Sequence, residues 1–280
     1  MQQNTQEWLD FRRNKIGASD ASVILGLSPY KTKYQLFEEK IFGKEQEQNG
    51  AMMRGHFMEE AARTEFEKQT GISVLPKIVV SSERPWQMAS LDGISFDGKV
   101  FVEIKCPNRE VHEMAEKGGI PDHYMAQMQH QMSVLNLPEG LYFSFDGRKG
   151  NLVTVKRQEF YIEEMIEEEA KFYECMKTQV PPALSDKDYV LRDDPQWLEL
   201  AQEWKELSAY IKSMEENEEE LRKKLLAFAN GQSTKGGGIR VTRSIAKGQV
   251  NYKAIPELTG IDLEAYRKEP AERWTLASCK

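Results

Sequence analysis

Residues 100–104, Val-Phe-Val-Glu-Ile, form a run apolar enough for a buried strand, yet Glu103 sits inside it and Lys105 follows directly. On a strand, positions i and i+2 point to the same face, so Glu103 and Lys105 project together. Burying a carboxylate and an ammonium is costly without a purpose. Upstream, Ser90-Leu-Asp-Gly reads as a turn, so that Asp92 closes a hairpin onto the same spot. Two carboxylates and a lysine are the parts needed to hold a divalent metal and activate a water for phosphodiester hydrolysis.

The surrounding pattern is mixed. Helical spacing is expected over 5–11, 21–25, 32–42 and 51–70, the last stopped by Gly71. Strands are expected at 73–80, 87–89, 93–96, 100–105, 141–146 and 152–156. Between them, residues 122–137 have helical periodicity through Met125, Met128, Met132 and Leu135, and 160–177 reads as an acidic amphipathic helix. Helices first, then a mixed sheet crossed by a helix, indicate an α/β domain over 1–180. Pro181-Pro182 ends it.

Residues 181–280 differ in character. Trp197, Leu200, Trp204, Leu207, Ile211, Met214, Leu221, Leu225 and Phe228 recur three and four apart, which predicts a heptad-patterned helix. Its roughly 34 residues would span about 50 Å. Gly236-Gly-Gly then reads as the approach to a β-hairpin carrying Arg240, Arg243 and Lys247, and 254–280 as a short helical tail.

Composition narrows the function classes. The 280 residues are 40% hydrophobic and 30% charged, as in a globular protein. No apolar run approaches the ~20 residues of a membrane span, and the start lacks the apolar stretch of a signal peptide, so a cytoplasmic protein is expected. Three widely spaced cysteines support neither a disulfide framework nor a cysteine metal site. The net charge of −7 argues against nucleic acid only until its distribution is read: 221–256 carries eight basic residues and no acid. Arg240, Arg243 and Lys247 are therefore candidate phosphate-backbone contacts.

Further polar residues lie at suggestive places. Glu59 belongs to the helix before the sheet, and alone would read as a solvated glutamate. Gln127 and Gln131 stand i, i+4 and share a helix face, which could equally be that helix's wet side. Taken in order, five motifs resemble the YqaJ-type phage recombination nucleases, the group that includes lambda exonuclease, within the PD-(D/E)xK superfamily. They are Trp8…Phe11-Arg12…Ile16-Gly-Ala-Ser-Asp; Arg54-Gly…Glu59…Ala62-Arg63; Ser90-Leu-Asp92-Gly; Glu103-Ile-Lys105-Cys-Pro; and Tyr124-Met-Ala-Gln127-Met-Gln129. Leu91 stands where the superfamily's name has proline, a position of backbone shape rather than ligation.

The resemblance implies a restriction-endonuclease-like core, a mixed sheet flanked by helices. It implies that Asp92, Glu103 and the backbone carbonyl of Ile104 bind Mg²⁺ or Mn²⁺, with Glu59 completing the site directly or through water. Lys105 would orient or deprotonate the attacking water, and Gln127 would help place that water or Lys105. Arg12, Ser19 and Ser90 match the family's pocket for a 5′-phosphate, a geometry suited to an arginine fork and two hydroxyls. The implied activity is 5′–3′ exonuclease action on linear duplex DNA, giving 3′ overhangs for recombination by a phage- or prophage-encoded protein. The implied partners are DNA ends, further copies of the chain in a ring-like trimer or tetramer, and a single-strand annealing protein. A structure-specific or restriction-like endonuclease on the same core and a non-catalytic DNA-binding assembly protein are the competing readings.

Overall fold

Alternation along the strands decides which helix covers which face of the sheet, and so where the site lies. The computed structural model describes residues 6–43, 50–244 and 261, dividing the chain into two units, Met1–Tyr189 and Val190–Lys280. The first opens with α1 (Gln6–Arg13), β1 (Ile16–Gly17), α2 (Ala18–Ile24), α3 (Lys33–Phe42) and α4 (Gly50–Thr70). It continues with β2 (Val74–Val80), β3 (Gln87–Ser95), β4 (Phe101–Lys105), α5 (Arg109–Glu116) and α6 (Asp122–Leu135). β5 (Glu139–Phe145), β6 (Gly150–Lys156) and α7 (Glu159–Thr178) complete it.

The strands form one mixed sheet in the order β1-β3-β4-β5-β6, with β2 also paired to β3. β1 with β3 and β4 with β5 run parallel, while the remaining pairs are antiparallel. On one face Phe101 and Tyr142 pack with Met128 and Met132 of α6. On the other, Val102, Ile104, Phe143 and Phe145 pack with Ala62 and Phe66 of α4. Central β4 is thus covered on both sides, which is why its sequence is nearly all apolar. A third cluster joins Val23 and Ile24 of α2, Leu36 and Phe37 of α3 and Phe172 of α7 beside the sheet.

Three sequence expectations are corrected. Ser90-Leu-Asp-Gly is not a turn: β3 runs unbroken from Gln87 to Ser95, with Leu91 fully buried and paired to Lys77. Gly93 serves close approach instead, since a Cβ there would lie 2.6 Å from Val74 Cγ2 and 2.8 Å from Val102 Cγ1. The hairpin turn comes later, at Asp97-Gly98, where Gly98 takes φ +72°. Helix α5 and the two-residue strand β1 were absent from the pattern reading. β1 is too short to show alternation, and α5 is a charged segment whose start is set by Asn108, its side chain accepting from Val111 N–H.

The second unit holds α8 (Pro195–Ala229), capped by Asp194 and 35 residues long, followed by a hairpin of β7 (Thr234–Gly236) and β8 (Ile239–Val241). Gly237 and Gly238, both at positive φ, make the hairpin's turn rather than its approach. Lys247 and the expected tail helix fall outside the described residues. Among the described residues no helix is long and apolar enough to cross a membrane.

Candidate active site

The antiparallel ladder between β3 and β4 pairs Ile94 with Phe101 and Gly93 with Val102. One further step would set Asp92 opposite Glu103. There the strands part, and the Asp92 carboxylate accepts from the Ile104 N–H at 2.8 Å in place of a ladder bond. The carboxylates of Asp92 and Glu103 are thereby brought together at the fork. Glu103 is 1% exposed and forms an ion pair with Lys105 on its own strand. Gln127 Nε2 donates to Glu103 Oε1 at 2.6 Å and Gln131 Nε2 to Oε2 at 2.5 Å. The i, i+4 glutamines therefore serve as two arms on one carboxylate, and neither lies on a wet helix face.

Electrostatics at the fork are strained in a telling direction. Burial, then the Glu103 charge, pushes the Asp92 carboxyl well above the usual carboxylate range, against the pull of Lys105 and the Ile104 N–H. Burial alone would lower Lys105, but Glu103 and Asp92 outweigh it and raise the ammonium above an ordinary lysine. Glu59 on α4 accepts from Arg63 at 3.0 Å, while Arg63 Nε donates to the Asp92 carbonyl at 3.1 Å. Glu59 thus reaches the fork through Arg63. Among the described residues no three His, Cys, Asp or Glu side chains cluster as a metal site. What the fork offers is two mutually repelling carboxylates, Glu103 buried and Asp92 partly buried. A hard divalent cation that keeps several of its waters fits such a donor set and would relieve the repulsion.

A second cluster lies at the start of the domain. Arg12 donates to Ser19 Oγ at 2.8 Å and to Asp20 Oδ1 at 3.2 Å. Asp20 also accepts from the Gly17 N–H and pairs with Lys40 at 2.6 Å, and both acid and lysine are buried. Lys40 donates in turn to the carbonyls of Arg12 and Lys15 at 3.1 and 2.8 Å. At Asp20, Lys40 and Arg12 overcome burial and hold the carboxyl well below its usual range, whereas at Lys40 burial wins and draws the ammonium down. Asp20 and Lys40 were missed as site residues: nothing in the spacing of a helix lysine twenty positions on reveals that it anchors this acid. Ser90 lies on β3, paired with Ile78 of β2. Gly17 pairs with Met88, two residues before Ser19 on one side and Ser90 on the other.

Residues 7–137 match the YqaJ-like viral recombinase domain. That match spans the five motifs of the first unit, from Trp8 to Gln129. The uncharacterized protein YqaJ of Bacillus subtilis (strain 168) is 31% identical over 175 residues, 60% of this chain and 54% of that relative's length. The chain thus matches about half of that relative. Among solved structures, an alkaline exonuclease (LHK-Exo) from Laribacter hongkongensis is 27% identical with a TM-score of 0.55, covering 62% of this chain and 94% of its own. The same enzyme in complex with dAMP gives 26%, 0.56 and the same coverages. The fold shared with that exonuclease is the mixed sheet flanked by helices.

In the second unit, Arg240 lies on β8 opposite Lys235, and the Arg243 N–H donates to Ser233 Oγ at 3.0 Å. Arg240 also lines a 530 Å³ groove with Arg222, Glu218 and the apolar side chains of Leu221, Leu225 and Ile239.

Proposed function

We propose that this protein is a Mg²⁺- or Mn²⁺-dependent exonuclease that degrades one strand of linear duplex DNA from its 5′ end, leaving 3′ overhangs for recombination. The observation that carries the reading is the fork where β3 and β4 part, which brings Asp92, Glu103 and Lys105 together under the Gln127–Gln131 clamp. The 27% likeness to an alkaline exonuclease across 94% of that chain supports the reaction class.

Asp92, Glu103 and the Ile104 carbonyl would hold the cation, with Glu59 beside them. When bound, the cation supplies Lewis-acid polarisation of the phosphate and a more acidic water. Lys105, kept protonated by two carboxylates, is suited to offset charge building on the phosphorane rather than to remove a proton. Gln127 and Gln131 fix the plane of Glu103. Water attacks phosphorus and the O3′–P bond breaks. The released nucleotide keeps a 3′-hydroxyl, and the shortened strand gains a 5′-phosphate. That new end is the group for which Arg12, Ser19 and Ser90 are suited, so each turnover would regenerate its own anchor.

The test is hydrolysis of 5′-phosphorylated and 5′-hydroxyl linear duplexes and of a covalently closed circle, by the wild type and Lys105→Ala. Expected are faster cutting of the phosphorylated end, an intact circle, and a loss of about 10²–10³-fold in rate for Lys105→Ala. Equal rates on both ends would refute the Arg12 anchor, a cut circle would refute exonuclease action, and an active variant would refute the site.

A further inference from the structure

Beside the Lys105 ammonium runs a row of aromatic rings that none of the hydrolytic roles uses. Lys105 Nζ lies 5.4 Å from the centre of the Tyr124 ring. His123 leans on Tyr124 with ring centres 4.1 Å apart, and Tyr30 meets His123 at 6.2 Å with the planes at 89°. The row climbs from core to solvent, from fully buried Tyr142, 5.8 Å from Tyr124, to Tyr30, which is 66% exposed. Tyr30 comes from the α2–α3 loop and His123 from the first turn of α6, so the row exists only in the folded chain.

A single exposed tyrosine is ordinary. Two observations set this one apart. First, its loop is tied down: Leu27 and Ser28 N–H donate to the Ser22 carbonyl, and Ser28 Oγ accepts from Tyr30 N–H at 3.2 Å and Lys31 N–H at 3.3 Å. The ring is held out on an ordered support, so little further ordering is needed when something stacks on it. Second, His123 Nε2 is buried and has no hydrogen-bond partner. An unpaired buried nitrogen costs stability, and a group arriving at the site would supply what it lacks. With planes at 89°, His123 covers at most one face of Tyr30. A flat surface remains open.

We infer that Tyr30 and His123 form a stacking platform for the base of the 5′-terminal nucleotide, the one whose 3′-phosphate sits at Lys105. The inference rests on the nuclease reading above. The chemistry is that of a nucleotide: an anion at the ammonium, and next to it a planar π surface on the exposed tyrosine. Every base has such a face, so the platform is indifferent to sequence. Inside a duplex both faces of a base are covered, whereas the terminal base has one face open. The platform therefore takes the terminal base and none from the interior of the duplex, which biases the enzyme toward ends.

The experiment measures equilibrium binding of the full chain, with Ca²⁺ in place of Mg²⁺ so that no strand is cut, to two 5′-phosphorylated duplexes. One is intact and the other carries an abasic 5′-terminal nucleotide. Tyr30→Ala is expected to weaken binding of the intact duplex about tenfold, the scale of one base–aromatic stack. It should leave binding of the abasic duplex unchanged, and Tyr30→Phe should restore full affinity. Equal losses on both duplexes, or no loss on either, overturn the platform while leaving the nuclease reading standing. An unsubstituted chain that does not bind the duplex at all, with Ca²⁺ in place of Mg²⁺ to prevent cutting, overturns both.

Discussion

Glu103 shows how much of a buried carboxylate's behaviour is set by the groups around it. Lys105 meets it along the strand, and two glutamine amides meet it from α6. Gln131 keeps its own Oε1 buried without a partner, so its amide is committed to Glu103 rather than to packing. Gln131→Met is expected to raise the metal concentration for half-maximal activity by about 10–100-fold, the usual effect of losing a group that orients a ligand. A metal titration of both proteins checks it, and an unchanged midpoint would show that Gln131 only fills space. The buried Asp20–Lys40 pair is the second residue-scale case. Lys40→Met leaves Asp20 with only Arg12, partly exposed, for its charge, and should lower unfolding free energy by about 3–5 kcal/mol. Denaturant melts test this. At this scale the sequence was legible where chemistry clusters locally, as in Glu103-Ile-Lys105. It was silent on Asp20 and Lys40, because burial of a charge is a property of the folded surroundings.

Helix α6 is held against β3 and α7 by a buried staple. His130 Nδ1 lies 2.7 Å from Glu169 Oε1, and its Nε2 lies 3.0 Å from the Met88 carbonyl. Gln87 Nε2 donates to the other Glu169 oxygen at 2.5 Å. Both imidazole nitrogens thus face acceptors, which only the doubly protonated ring can satisfy. Burial alone would lower its pKa, but Glu169, the Met88 carbonyl and more distant Asp20 outweigh burial and raise it above 6.5. A raised folded-state pKa means that the stabilisation is complete below pH 6.5 and is lost as pH climbs through the folded value. Melting temperature should therefore fall as pH rises above 6.5, with α6 amides losing exchange protection alongside it. A melting temperature that rises over that interval would contradict the staple. The helical repeat of 122–135 was plain in its methionines, yet that same pattern does not say which polar residues face inward. Strand β3 was misread as broken because Asp-Gly is a strong local turn signal, and only the crowding of Gly93 by Val74 and Val102 shows why glycine stands in a strand there.

Over the whole chain, the two units differ in how their apolar residues are spent. The first buries them in clusters on both faces of its sheet. Along α8, Leu200, Leu207, Ile211, Leu221 and Phe228 are exposed. The heptad pattern gave the helix and its length without giving what the seam meets. The basic residues of the β7–β8 hairpin remain a proposal for the phosphate backbone. Arg240→Ala with Arg243→Ala should reduce the slope of log affinity against log salt by about 2, one per lost phosphate contact. Single-turnover cleavage at saturating DNA should persist, and an unchanged slope would remove the hairpin from the DNA path. What the amino-acid order settled by itself was whatever short-range periodicity and adjacent chemistry encode: the α/β class, the long helices, the buried strand with its glutamate and lysine, and the family resemblance carried by motifs in order. The tertiary structure alone decided that the ladder parts at Asp92 and Glu103, that Lys40 anchors Asp20, and that Tyr30 stands in line with Lys105. Those relations join residues far apart in the chain, and they come into being only when packing has fixed the distances between them.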